Sequence, residues 1–240
     1  NGIIDVTSLR YFNAAGAKLS ITGEPLEISG NHHRRVAVDV ISVNTHGATA
    51  KPEGYLNATT VFVEACRAIQ GNPSIFPIGF ETIDEVDVHA KLTFWLAADN
   101  DGAVDSAEDA LRQALEAAVK PHARRGAGVQ IQVTAQSAPT GMTTAVQCLF
   151  RQLDALLSAT DGPTPILSEE SDGYQGYTNP HRVNHTESGL EVRYRLRDFE
   201  DEGLEARKTQ LQGLSGQSDN LSLEIEHQYI NMGPQMKAFP

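Results

Sequence analysis

Two residues of this chain stand where chemistry could be done, Arg197 and His46. Arg197 lies in the stretch "LEVRYRLRDFEDEGLEARK", residues 190–208, where an alternating strand pattern runs into an acidic helix start. A guanidinium at such a junction offers a planar fork of donors that suits a carboxylate. The same side chain could instead pair with Asp198 or Glu200, or cap a helix end. His46 lies in "VNTHGATA", between a strand pattern and a helix pattern. An imidazole on a glycine-flanked loop can approach a ligand closely, donate to a carbonyl, or stabilise a developing oxyanion. An ordinary loop histidine is the alternative.

Other chemistries lack their parts. No H-E-x-x-H, paired Cys-x-x-Cys or His-x-Asp strand end supplies a metal set, so no metal ligand is assigned. His32 and His33 are adjacent on an extended stretch, which sends neighbouring side chains to opposite faces. Glu169 and Glu170 read as a solvated loop, and no G-x-S-x-G elbow or phosphate-cradling glycine loop is present. Cys66 and Cys148 sit within apolar helix patterns and read as small buried hydrophobes. As an isolated segment the chain is expected to be inactive.

The elements that must position these residues alternate between strand and helix. Strands are expected at "AKLSITG", "RVAVDVISV", "VQIQVTA", "LEVRYRLRDF" and "LSLEIEHQYINM". A longer stretch, "FETIDEVDVHAKLTFWLAA", contains at least one more, with Val88, Ala90, Leu92, Phe94 and Leu96 on one face. Helices are expected at "YLNATTVFVEACRAIQ", "DSAEDALRQALEAAVK" with a cap at Asp105 or Ser106, "TTAVQCLFRQLDALLSA" and "DEGLEARKTQLQGL". "SDGYQGYTNPHRVNHTESG" reads as irregular. The second half repeats the first: helix, strand or strands, helix, closing strand. The expected fold is α+β, two ferredoxin-like split β-α-β modules with helices on one face of antiparallel sheets. The modules divide at 1–135 and 136–240, with strand exchange allowed because the second lacks a first strand unless "AKLSITG" supplies it.

Composition limits the function. At 240 residues, with 40% hydrophobic and 21% charged residues, the chain can bury a substantial core. A net charge of −12 argues against a nucleic-acid partner. No apolar run approaches the roughly 18–20 residues needed to cross a bilayer. Two cysteines without a disulfide pattern favour a reducing, cytoplasmic compartment. The first residue is Asn, which fits a segment excised from a longer protein.

In pieces, over residues 8–66 and 170–235, the sequence resembles the peptidase T-like co-catalytic zinc aminopeptidases and carboxypeptidases, in the part that forms their lid or dimerisation domain. "VNTHGATAKPEGYLNATTVFVEA" is similar to the family's His-Pro-Gly-Thr-Ala-Lys lid loop and the helix after it, although no proline follows His46. "SDGYQGYTNP" resembles its Glu-Gly-Tyr-Glu-Gly stretch, "RDFEDEGLEARK" its Arg-Asp-Phe strand end and Glu-Ala-Arg-Lys helix, and "LEIEHQYINM" its closing Tyr-x-Asn-Met strand. Residues 70–165 have no counterpart in a single lid and match the doubled lid of some monomeric relatives, a pseudo-dimer in one chain. The resemblance implies hydrolysis of short peptides by a flanking catalytic domain that holds two zinc ions, with no cofactor in this segment. It gives His46 the oxyanion-stabilising role, Arg197 the substrate's C-terminal carboxylate, and Asn231 and Asn57 peptide contacts. The competing expectation is a stand-alone ferredoxin-like module for small-molecule binding or oligomerisation.

Overall fold

A computed structural model describes residues 13–42, 56–82, 89–136, 141–160, 176–216 and 218–230. His46, Asn231, Glu169 and Glu170 lie outside the described residues. The elements run β1 (Asn13–Thr22), β2 (His32–Ile41), α1 (Ala58–Ile69), β3 (Ile75–Thr82), β4 (Ala90–Ala98), α2 (Asp101–Val119) and β5 (Gly128–Ala135). They continue through α3 (Ala145–Thr160), β6 (Tyr177–His185), β7 (Gly189–Asp198), α4 (Asp201–Ser215) and β8 (Leu221–Tyr229).

Two four-stranded sheets result, ordered β3-β4-β2-β5 and β6-β7-β1-β8. Every pairing in them is antiparallel. In the first, the chain order is strand, helix, strand, strand, helix, strand, which is the ferredoxin-like arrangement. The second has the same order and the same strand adjacency, provided β1 is its first strand. The α+β fold of two such modules expected from the sequence is therefore present. The modules are nested, because the whole first unit is inserted between β1 and α3 of the second. A cut at residue 135 would separate β1 from the sheet it completes.

Three sequence expectations are corrected. Residues 177–185 of the supposedly irregular stretch form β6, and β3 begins at Ile75, ahead of the stretch read as strand. Both strands hold a proline where the register slips, at Pro77/Gly79 and Pro180/Arg182. Proline cannot donate to the ladder, so it survives in sheets at edges and bulges, and it disguises such strands in sequence. The third correction is the start of α2. Its cap is Asn100, whose side chain accepts from the Ala103 N–H at 3.0 Å. Ser106 lies inside the helix and donates its hydroxyl back to the Gly102 carbonyl.

The core follows from alternation. Ala90, Leu92, Phe94 and Leu96 of β4 are fully buried, and so, almost completely, are Leu190, Val192, Tyr194 and Leu196 of β7. Both rows face the helices. α1 is buried nearly all round, through Val61, Phe62, Val63, Ala65, Cys66 and Ile69, because it also meets the other module. There Phe62 stacks on Phe80 at 4.7 Å and meets Phe150 of α3 edge-on at 6.4 Å. Arg67 binds Asp154 and Ser158 of α3. Beside this helix pair β3 meets β6, where the Thr82 hydroxyl accepts from the Val183 N–H at 2.9 Å. Like elements thus meet like: first helix with first helix, second strand with second strand.

Candidate functional site

β7 does different work on its two faces. On the helix side its hydrophobic row ends in Asp198, whose Oδ2 accepts from Arg207 Nε of α4 at 2.8 Å. Asp198 Oδ1 also accepts from the Glu200 backbone N–H. Both members of the ion pair are largely shielded from solvent, with side chains 15% and 19% exposed. Gly176 and Gly203 close in on the same carboxylate, where a Cβ would lie 2.2 and 2.4 Å from Asp198 atoms. Three stretches far apart in sequence, "YQGY", "RDF" and "EGLEARK", therefore converge on one carboxylate.

The opposite face of β7 carries Arg193, Arg195 and Arg197. Alternate residues share a face, so these stand roughly 6.5–7 Å apart along the strand. Arg197 Nη1 donates to the carbonyls of Ala15 at 3.2 Å and Leu196 at 2.8 Å. Its guanidinium lies 5.6 Å from the ring centre of Tyr229. The register permits this, since Tyr177, Arg197, Ala14 and Tyr229 form one row and the small Ala14 leaves the centre open. Asp198, one of the partners the sequence offered Arg197, is occupied by Arg207 on the other side of the sheet.

Beside Arg197 lies an open groove of about 660 Å³. Its floor is Gly16, with Arg193, Arg195 and His181 on one side and Glu224, Glu226 and Gln228 on the other. Arg193 is paired with Glu191 at 2.8 Å and Lys18 with Glu224 at 3.0 Å. Sequence reasoning selected Arg197 and overlooked its neighbours, although "RYRLR" already alternated.

Asn57 is buried and serves as the cap of α1, its Oδ1 accepting from the N–H groups of Thr59 and Thr60. His32 and His33 diverge as adjacent strand residues must: His32 bonds Asp101 at 2.8 Å and His33 accepts from Trp95. Burial pushes the Cys66 thiol well above its ordinary pKa, so it stays protonated and inert. Among the described residues, no three His, Cys, Asp or Glu side chains gather as metal ligands. This donor set does not fit the two zinc ions that the resemblance implies.

No family model matches the chain. Peptidase T of Aeromonas hydrophila is 35% identical over 81 residues, covering 31% of this chain and 20% of that protein. Peptidase T of Streptococcus equi is 37% identical over 76 residues, covering 29% of this chain and 19% of the relative. The matched segment is thus about a fifth of the length of these curated relatives. In fold, the chain is similar to an aminoacylhistidine dipeptidase from Vibrio alginolyticus, with a TM-score of 0.72 at 13% identity. That likeness covers 90% of this chain and 44% of the dipeptidase. The chain is thus similar to peptidase T over about a third of its length, and its two-module fold is that of part of the dipeptidase.

Proposed function

We propose that this chain is the lid of a peptidase T-like zinc exopeptidase and contributes substrate recognition to the hydrolysis of short peptides. On this reading the zinc ions belong to a flanking catalytic domain, as in the enzymes the sequence resembles. Arg197 binds the C-terminal carboxylate of the peptide. The observation that carries this reading is the setting of Arg197: two backbone carbonyls and an aromatic ring fix its guanidinium on the open sheet face, beside a groove. A fork held in place loses less entropy on binding than a free one. His46 supplies a hydrogen bond to the scissile carbonyl as it gains negative charge, and Asn231 helps to position the peptide, whereas Asn57, buried as the cap of α1, acts on it only indirectly.

The contacts between α1 and α3 and between β3 and β6 support a second part of the proposal. They occupy within one chain the surfaces through which two single lids would pair, so the doubled lid acts as a pseudo-dimer.

The test is kinetic and uses the longer peptidase that contains this chain. Arg197→Ala is expected to raise KM for tripeptides roughly 10- to 100-fold, the worth of a charge-assisted contact. C-terminally amidated tripeptides should lose little. Equal KM for the two enzymes on free tripeptides would remove Arg197 from substrate binding.

A further inference from the structure

Arg195 occupies the row of the sheet next to Arg197, and its register partners are Asn179 on β6 and Gly16 on β1. Among the described residues its guanidinium has no ion pair and no hydrogen bond. The nearest candidate in register does not supply one, because the buried Asn179 carbonyl oxygen is itself without a partner. Arg195 also stands between two other arginines on the same face. Like charges on adjacent positions of a sheet destabilise it, so an unpaired central arginine is a cost to the fold.

The first module shows that the fold does not require this cost. Pro77 faces Phe94 and Pro180 faces Tyr194 at matching bulges, which sets β4 and β7 in equivalent register. Thr93, Trp95 and Ala97 then stand where Arg193, Arg195 and Arg197 stand. The equivalent of Arg195 is a fully buried tryptophan that donates to His33. In the first module that sheet position carries no charge, and the nearest cation in its row is Arg35 on the neighbouring strand.

We infer that Arg195 forms a second carboxylate subsite beside Arg197 and selects peptides whose last residue is acidic. This rests on the proposal that Arg197 takes the terminal carboxylate. The two carboxylates of a C-terminal glutamate lie somewhat closer together than alternate strand residues, a separation that two long arginine side chains on one face can converge to span. The groove also has the polarity such a ligand needs. Carboxylates face the β7 arginines, while Glu226, across the bare floor of Gly16, faces the amide N–H groups or the ammonium of the peptide.

Binding of Ala-Ala-Glu and its neutral isostere Ala-Ala-Gln to this 240-residue chain, followed by NMR titration, tests the inference. The acidic peptide is expected to bind at least roughly tenfold more tightly, the worth of one charge-assisted contact. Arg195→Gln should erase that difference without weakening Ala-Ala-Gln binding and with a melting temperature no lower than that of the unsubstituted chain, because it relieves the like-charge cost, and Arg195→Lys should restore part of the difference. Equal affinity for the two peptides, binding of neither, or discrimination that survives Arg195→Gln would overturn the inference. The two proposals fail separately. Arg195-dependent discrimination in a chain whose longer protein cleaves no peptide would sink only the peptidase reading. Loss of binding in Arg197→Ala with no effect of Arg195→Gln would sink only the subsite.

Discussion

The two modules share one strand order and one bulge position, yet they finish the third strand in opposite ways. β7 ends with Arg193, Arg195 and Arg197 on its open face and Asp198 on its helix face; β4 has Thr93, Trp95, Ala97 and Ala98 in the same places. Both modules still tie the end of the sheet to their second helix with an ion pair, but of reversed polarity. In the second module a strand carboxylate, Asp198, holds a helix arginine, Arg207. In the first, a strand arginine, Arg34, holds two helix carboxylates, Asp105 and Glu108. The two modules thus make the same kind of tie with opposite signs of charge. The row of three arginines on the third strand belongs to the second module alone, whereas the same face of the first module carries Arg35 on the neighbouring strand, in register with Trp95.

That distinction can be broken at several points. The largest effect is expected where the modules join. Phe62→Ala removes a fully buried ring between Phe80 and Phe150 and should cost about 3–5 kcal/mol in a denaturant melt. Asp198→Ala gives the second module the residue of the first and leaves Arg207 without its partner, at a cost of about 3 kcal/mol. If the pair is structural, adding Arg207→Leu to Asp198→Ala should recover part of that loss. Glu108→Gln weakens the corresponding tie of the first module by about 1.5 kcal/mol at neutral pH.

The Glu108 effect carries a pH signature. Burial acts to raise its pKa, but hydrogen bonds from Arg112 and Arg34 more than offset this, and the carboxyl titrates below the ordinary glutamate value. The folded state therefore holds that proton more weakly than the unfolded chain does. The stabilisation is complete above the ordinary value and is lost as pH falls through the lower, folded one. The stability gap between Glu108→Gln and the unsubstituted chain should accordingly be full at neutral pH and close in strong acid. The smallest effect belongs to the proposed ligand face. Arg197→Ala removes two hydrogen bonds to backbone carbonyls and should cost only about 1 kcal/mol of stability.

Most of the fold was legible in the sequence because most strands alternate cleanly and most helices carry caps and apolar stripes. β3 and β6 escaped because Pro77 and Pro180 break the pattern at bulges, and such bulges betray themselves only through a partner strand. The nesting could be anticipated from the missing first strand of the second module, whereas the pairing of β1 with β7 and β8 is a long-range choice. For the site, the strand-to-helix junction pointed to Arg197. Its neighbour Arg195 became visible only once Thr93 and Trp95 could be set against Arg193 and Arg195. The motif fragments also gain a physical reason here, since the separation of Gly176, Asp198, Gly203 and Arg207 in sequence hides their convergence in space.

The most direct test of the central claim compares KM for a free tripeptide in the longer protein proposed to contain this chain, carrying Arg197→Ala, with KM in the same protein carrying Thr93→Ala on the first module. The account predicts a rise of roughly 10- to 100-fold for Arg197→Ala, absent with the amidated tripeptide, and no change for Thr93→Ala. An unchanged KM in Arg197→Ala, or an equal rise in both variants, would contradict it.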